Sequence, residues 1–84
     1  MADPAKAELF HRIAEPDSAT ARRRVAELGL LGRVEFRNVD FESHRAALAA
    51  RGGASTPALW DGARLHVGLE AALGALAALA ADGS

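Results

Sequence analysis

The stretch that most restricts the fold runs from Gly52 to Gly68, where two short apolar runs, Ala58-Leu59-Trp60 and Leu65-His66-Val67, flank Asp61-Gly62. Asp-Gly takes up the positive φ values of a two-residue type I′ turn more readily than almost any other pair, so the stretch predicts a β-hairpin turning at Asp61-Gly62. Pro57 stands where the first run begins. Proline has no N–H for a sheet ladder, which confines Pro57 to the first residue of its strand or to an edge, and a cis Thr56-Pro57 bond is expected to turn the chain into it.

The rest of the chain reads as packing around that hairpin. Lys6 to Ile13 alternates, with Ala7, Leu9, His11 and Ile13 on one side and Glu8, Phe10 and Arg12 on the other. Apolar residues on both sides predict a first strand covered on both faces. Pro16 suits the first position of a helix, with Glu15 before it and Asp17 in its first turn; the alternative is a later start capped by Asp17 or Ser18. Ala21, Val25 and Leu28 then recur at helical spacing, and Gly29 is placed to end the run. Val34 to Phe41 reads as a second strand whose phase slips near Asn38, through either a bulge or a strand end. A helix between the two strands makes them parallel. Ser43 is placed to cap a short helix ending at Arg51 and Gly52, and Leu69, Leu73, Leu76 and Ala80 mark a last helix. The order is β-α-β-α-β-β-α, an α/β fold with a single four-stranded mixed sheet flanked by helices, forming one domain over 1–84 with its core at about 6–81.

Composition bears on this plan at three points. Of 84 residues, 21 are alanine and only Phe10, Phe36, Phe41 and Trp60 are aromatic, so the few large side chains must define the core, Trp60 among them. Nine arginines and one lysine nearly balance eleven acids, a net charge of −1, which supplies no general attraction to nucleic acid or to an anionic membrane. The Arg22-Arg23-Arg24 run reads as a solvated helix face. The apolar segment from Leu69 to Ala81 is short of the roughly 20 residues a membrane span needs, and the first residues lack a signal peptide's charged and apolar regions, so the expected location is cytoplasmic.

This order, with its proline-led hairpin, resembles the thioredoxin-like fold, and within it the glutaredoxins and the N-terminal domain of glutathione transferases. The resemblance spans about residues 6 to 80. It is carried by Leu9-Phe10-His11-Arg12 running into a proline-containing loop, by Val39-Asp40-Phe41, and most specifically by Ser55-Thr56-Pro57-Ala58-Leu59-Trp60-Asp61-Gly62 with Leu65. It implies that Glu15-Pro16-Asp17-Ser18 occupies the active loop, with Glu15 at the nucleophile position and Ser18 at that of a resolving cysteine.

A helix N-terminus activates a thiolate by stabilising its negative charge. Glu15 can sit in that field as an anion, but neither it nor Ser18 can exchange a disulfide, and the chain has no cysteine. No catalytic residue is therefore assigned, and thiol-disulfide oxidoreduction is excluded. By the same resemblance, Thr56 before Pro57 would pair by its backbone with the cysteinyl part of glutathione, and Glu70 would meet its γ-glutamyl end. The expected function is binding of a peptide or protein partner at the Glu15/Thr56-Pro57 surface, with glutathione binding or a transferase-like role as the alternative. Apart from glutathione no cofactor is expected. Glu15 and Asp17 read more simply as acids favourable to a helix N-terminus. His11, His44 and His66 fall on three separate elements, so no metal site is expected.

Overall fold

The computed structural model describes residues 6–82. Its elements are β1 (Ala7–His11), α1 (Pro16–Glu27), β2 (Val34–Asn38), α2 (Glu42–Ala50), β3 (Ala58–Trp60), β4 (Leu65–Val67) and α3 (Leu69–Asp82). One four-stranded mixed sheet runs in the order β2-β1-β3-β4. β1 pairs parallel to β2, with Leu9 opposite Phe36, and antiparallel to β3, with Leu9 opposite Leu59. β1 is thus an interior strand. All five of its residues are buried, as apolar positions on both of its sides require.

The two faces carry separate cores. Ala7 and Leu9 join Val34 and Leu59 beneath Ala21 and Val25 of α1 and Ala72, Ala75 and Leu76 of α3. The alanines matter because, with only a methyl group projecting, they let the helices approach closely. α3 is consequently centred on Ala72, Ala75 and Leu76, with Leu69, Leu73 and Ala80 of the expected stripe only partly buried beside them. The opposite face holds a smaller cluster of Phe10, Val39, Leu48 and Ala58, against which Ala47, Leu65 and Trp60 are partly buried. Trp60 is therefore a flank of the core rather than its centre.

Several boundaries differ from the sequence expectation, each for a local reason. β1 stops at His11 because the Arg12 N–H donates to Ser18 Oγ at 3.1 Å instead of to a strand, and Ile13 is 61% exposed. β2 ends at Asn38, so the phase slip is a strand end and not a bulge. The Asn38 side chain accepts the Asp40 N–H at 3.0 Å, turning the chain there and leaving Phe41 outside the strand. Ser43 does not cap α2. Phe41 is the residue before the helix, with extended backbone and no side-chain cap, and its carbonyl accepts the N–H groups of His44 and Arg45.

α1 begins at Pro16 and closes as a Schellman turn. Gly29 has φ 72°, its N–H donates to the Ala26 carbonyl, and the Leu30 N–H donates to that of Val25.

The hairpin loop has four residues, Asp61 to Arg64, and not two, since Trp60 and Leu65 are the last paired residues. One bond, from the Asp61 N–H to the Arg64 carbonyl at 3.1 Å, crosses the loop. The Asp61 side chain dictates the wider turn: its Oδ1 accepts the N–H groups of both Ala63 and Arg64 at 2.8 Å, while Oδ2 meets His66 Nε2 at 2.8 Å. The His66 bond and these two backbone donors hold the Asp61 carboxyl at a pKa of about 2. The Thr56-Pro57 peptide bond is cis. Pro57 is buried immediately before β3, and its carbonyl accepts the Gly68 N–H at 2.9 Å, joining the hairpin to the entry of α3.

Gly53 is the tightest point between α2 and the hairpin. A Cβ there would lie 2.5 Å from Leu65 Cδ2 and 2.7 Å from Leu48 Cδ1. Leu65 is half-buried and can swing aside; Leu48 is only 2% exposed and cannot. Gly53→Ala is therefore expected to cost about 1–2 kcal/mol, read as a lower urea midpoint at unchanged m-value. An unchanged midpoint would mean that α2 is free to shift.

Candidate functional site

The loop from β1 to α1 and the loop entering β3 meet at one carboxylate. Glu15 Oε1 accepts a hydrogen bond from Ser18 Oγ at 2.5 Å and another from Thr56 Oγ1 at 2.9 Å. Ser18 is fully buried and in turn accepts the Arg12 N–H. A polar chain thus runs from the end of β1 through Ser18 and Glu15 to Thr56, 41 residues from Glu15 along the sequence. The sequence folds this way because Pro16 fixes the start of α1, which aims Ser18 back at the loop, while Pro57 delivers Thr56 to the same end of the sheet.

The expected site residues divide accordingly. Glu15, Ser18 and Thr56 are brought together, and Pro57 is buried next to Thr56. Pro16 is exposed at the first position of α1, and Asp17 is exposed in its first turn. Glu15 stands at the N-cap of that helix and its carbonyl accepts the Ala19 N–H, but its side chain bonds to hydroxyls rather than to helical N–H groups. Glu70 stands exposed in the first turn of α3 and makes no hydrogen bond to this chain of groups. Among the described residues, neither the N–H nor the C=O of Thr56 bonds to backbone elsewhere in the chain. The site therefore offers a carboxylate whose Oε1 takes two hydroxyls, beside the unpaired backbone groups of Thr56.

A second polar group next to it is invisible in the linear pattern. His11 is buried at the end of β1, its Nδ1 3.0 Å from Arg22 Nη1, and the same Arg22 nitrogen donates to the Arg12 carbonyl at 3.0 Å. A guanidinium only donates, so Nδ1 is the acceptor and the imidazole is neutral with its proton on Nε2. Burial, then the Arg22 and His44 charges, push its pKa below 6.5. Arg22 thus leaves the solvated run to which its neighbours Arg23 and Arg24 belong. The Arg12 guanidinium meets Asp40 at 3.1 Å, linking the two loops that follow the parallel strands. The only advance signal is the placing of His11 on the same side of β1 as Ala7 and Leu9.

Among the described residues, no group of three or more His, Cys, Asp or Glu is arranged to hold a metal ion, and no helix is long and apolar enough to cross a membrane. In comparisons of the chain with known proteins, no family model, no curated protein and no solved structure matches it.

Proposed function

We propose that the chain is a thioredoxin-like domain, similar in plan to the glutaredoxins and glutathione transferase N-terminal domains, which acts by binding and not by redox chemistry. The element order and the β2-β1-β3-β4 sheet support that plan. With no cysteine in the chain, thiol-disulfide exchange has no nucleophile among its own side chains. The ligand is an extended peptide or protein segment, bound where Glu15 and Thr56-Pro57 converge.

One observation carries this reading. The Thr56 backbone stands without a backbone partner beside a carboxylate already held by two hydroxyls. An extended peptide matches that arrangement, because main-chain pairing at an open edge supplies affinity and the flanking side chains supply selectivity. The acids Glu15, Asp17 and Glu70 favour a peptide carrying positive charge. Reduced glutathione is the alternative occupant of the same backbone, with Glu70 alone facing its γ-glutamyl end.

Peptides selected from a random dodecapeptide library should shift the amides of Thr56, Ala58 and the Glu15 loop, and selected peptides mapping wholly elsewhere would overturn the proposal. A parallel titration with reduced glutathione at about 10 mM separates the alternative, which predicts shifts at Thr56 and Glu70. The alignment itself is tested by Glu15→Cys. A thiol placed before the first turn of α1, beside the Ser18 and Thr56 hydroxyls, is expected to titrate well below the ordinary value of about 8.5. An unshifted thiol would show that this loop does not correspond to the active loop of the family.

A further inference from the structure

We infer that β2 is a self-pairing edge, and that two copies of this chain associate by antiparallel pairing of their β2 strands about a two-fold axis at Phe36. β2 is the outer strand on one side of the sheet. Two hydrogen bonds fix which of its groups face inward: the Ala7 N–H donates to the Arg33 carbonyl, and the Val39 N–H donates to the His11 carbonyl. Together with the parallel register, they direct the N–H and C=O of Glu35 and Arg37 toward β1, and those of Val34, Phe36 and Asn38 outward.

The outward groups are not all open. The Val34 N–H is taken by the Leu30 carbonyl at 3.0 Å, and the Asn38 carbonyl accepts the Phe41 N–H at 3.1 Å. Among the described residues this leaves the Val34 carbonyl, both groups of Phe36 and the Asn38 N–H without a backbone partner. That set is its own complement. In an antiparallel pair centred on Phe36, each Phe36 N–H meets the other copy's Phe36 carbonyl, and each Asn38 N–H meets the other copy's Val34 carbonyl. The two groups already bonded within the chain, the Val34 N–H and the Asn38 carbonyl, fall opposite each other in this register, so neither leaves an open group of the other copy unpaired.

The side chains agree with that register and oppose the others. Glu35 falls directly opposite Arg37 of the second copy, twice over by symmetry, and a closely spaced pair of opposite charges stabilises a sheet. A parallel in-register pair would set Glu35 against Glu35 and Arg37 against Arg37, which is destabilising. Phe36, 37% exposed and edge-on to the His11 ring, meets its own copy on the other face. Leu31 and Phe41, both more than 60% exposed, lie in the turns at the two ends of β2, and the two-fold axis brings the Leu31 end of one copy to the Phe41 end of the other. Among the described residues, three of the five exposed large hydrophobics therefore lie along this edge. Charged residues on an edge usually discourage pairing, but here they stand as Glu35 and Arg37, symmetric about Phe36, which rewards one partner only.

Sedimentation of the wild-type chain from about 10 μM to 1 mM should show a reversible monomer–dimer equilibrium. Hydrogen exchange supplies the register: the Phe36 and Asn38 amides should become protected as concentration rises, while those of Glu35 and Arg37 are protected throughout. Glu35→Lys, at an exposed position, is expected to raise the dimer dissociation constant roughly tenfold by setting an ammonium group against the other copy's Arg37 guanidinium. Phe36→Pro removes both central donors without touching the β1 ladder and should abolish the dimer; circular dichroism verifies that each variant is folded. A monomer at every concentration, or a dimer that Glu35→Lys leaves intact, overturns the inference. So does concentration-independent exchange at Phe36 and Asn38.

Discussion

Phe10→Ala is expected to lower the unfolding free energy by about 3–5 kcal/mol, the largest effect of any single truncation in this chain. Phe10 is the largest fully buried side chain among the described residues. It lies in the smaller of the two cores, where it shares the α2 face with only Val39, Leu48 and Ala58 as fully buried neighbours. Leu48 is the one buried residue of α2, so the nine-residue helix is held to the sheet largely by what Leu48 meets there. A cavity at Phe10 has few side chains able to collapse into it: Ala58 is small, and Val39 and Leu48 are held by their own elements. A domain of this size has a total stability of roughly 5–10 kcal/mol, so the variant should unfold at a urea concentration near half that of the wild type, or fail to fold. Phe10→Leu, which keeps most of the volume, should cost only about 1–2 kcal/mol. Equilibrium urea denaturation of the two variants decides the matter, and a loss below about 1.5 kcal/mol for Phe10→Ala would mean that the α2 face contributes little to the fold.

The element order is legible in the sequence because the strongest local signals coincide with what the fold needs. Pro16 and Gly29 bracket α1, and the alternation of β1 already shows both faces apolar. What escapes is set by side chains acting across the chain. The four-residue hairpin loop follows from Asp61 capturing two backbone amides and His66, a choice that the favourable dipeptide Asp61-Gly62 conceals. The strand end at Asn38 and the uncapped start of α2 depend on one Asn side chain turning the backbone, against which the capping preference of Ser43 counts for little. At the site, the convergence of Glu15, Ser18 and Thr56 is legible only through a resemblance. Nothing in their spacing shows that one carboxylate oxygen takes both hydroxyls. The His11–Arg22 contact is less visible still, since a histidine in a strand and an arginine in a basic run are each ordinary alone.

Glu8 is the sharpest conflict between local preference and final placement, and its removal is the second large effect expected. It lies on the interior strand β1, on the same face as Phe10, with a side chain 11% exposed. Desolvating a carboxylate costs several kcal/mol, and two guanidinium groups offset that cost. Arg37 of β2 donates to Oε2 at 2.9 Å, and Arg51, just beyond α2, donates to Oε1 at 3.4 Å. Arg51 also stacks over the Trp60 ring at 4.2 Å, so the carboxylate joins two strands, the end of α2 and the hairpin. Such a pair adds little compared with apolar residues of equal volume, but breaking it leaves a guanidinium without its anion. Arg37 would be left the worse placed: its Nε is buried with no hydrogen-bond partner among the described residues, and its remaining anion is Glu35 at 3.4 Å. Glu8→Ala is therefore expected to cost about 2–4 kcal/mol, below the figure for a wholly buried pair because both arginines keep some contact with water. The double variant Glu8→Leu/Arg37→Leu should recover to within about 1 kcal/mol of the wild type. A double-mutant cycle by urea denaturation measures both values. If Glu8→Ala alone proved nearly neutral, the carboxylate would be behaving as a surface charge, and the connection through Arg51 to Trp60 would carry no stability.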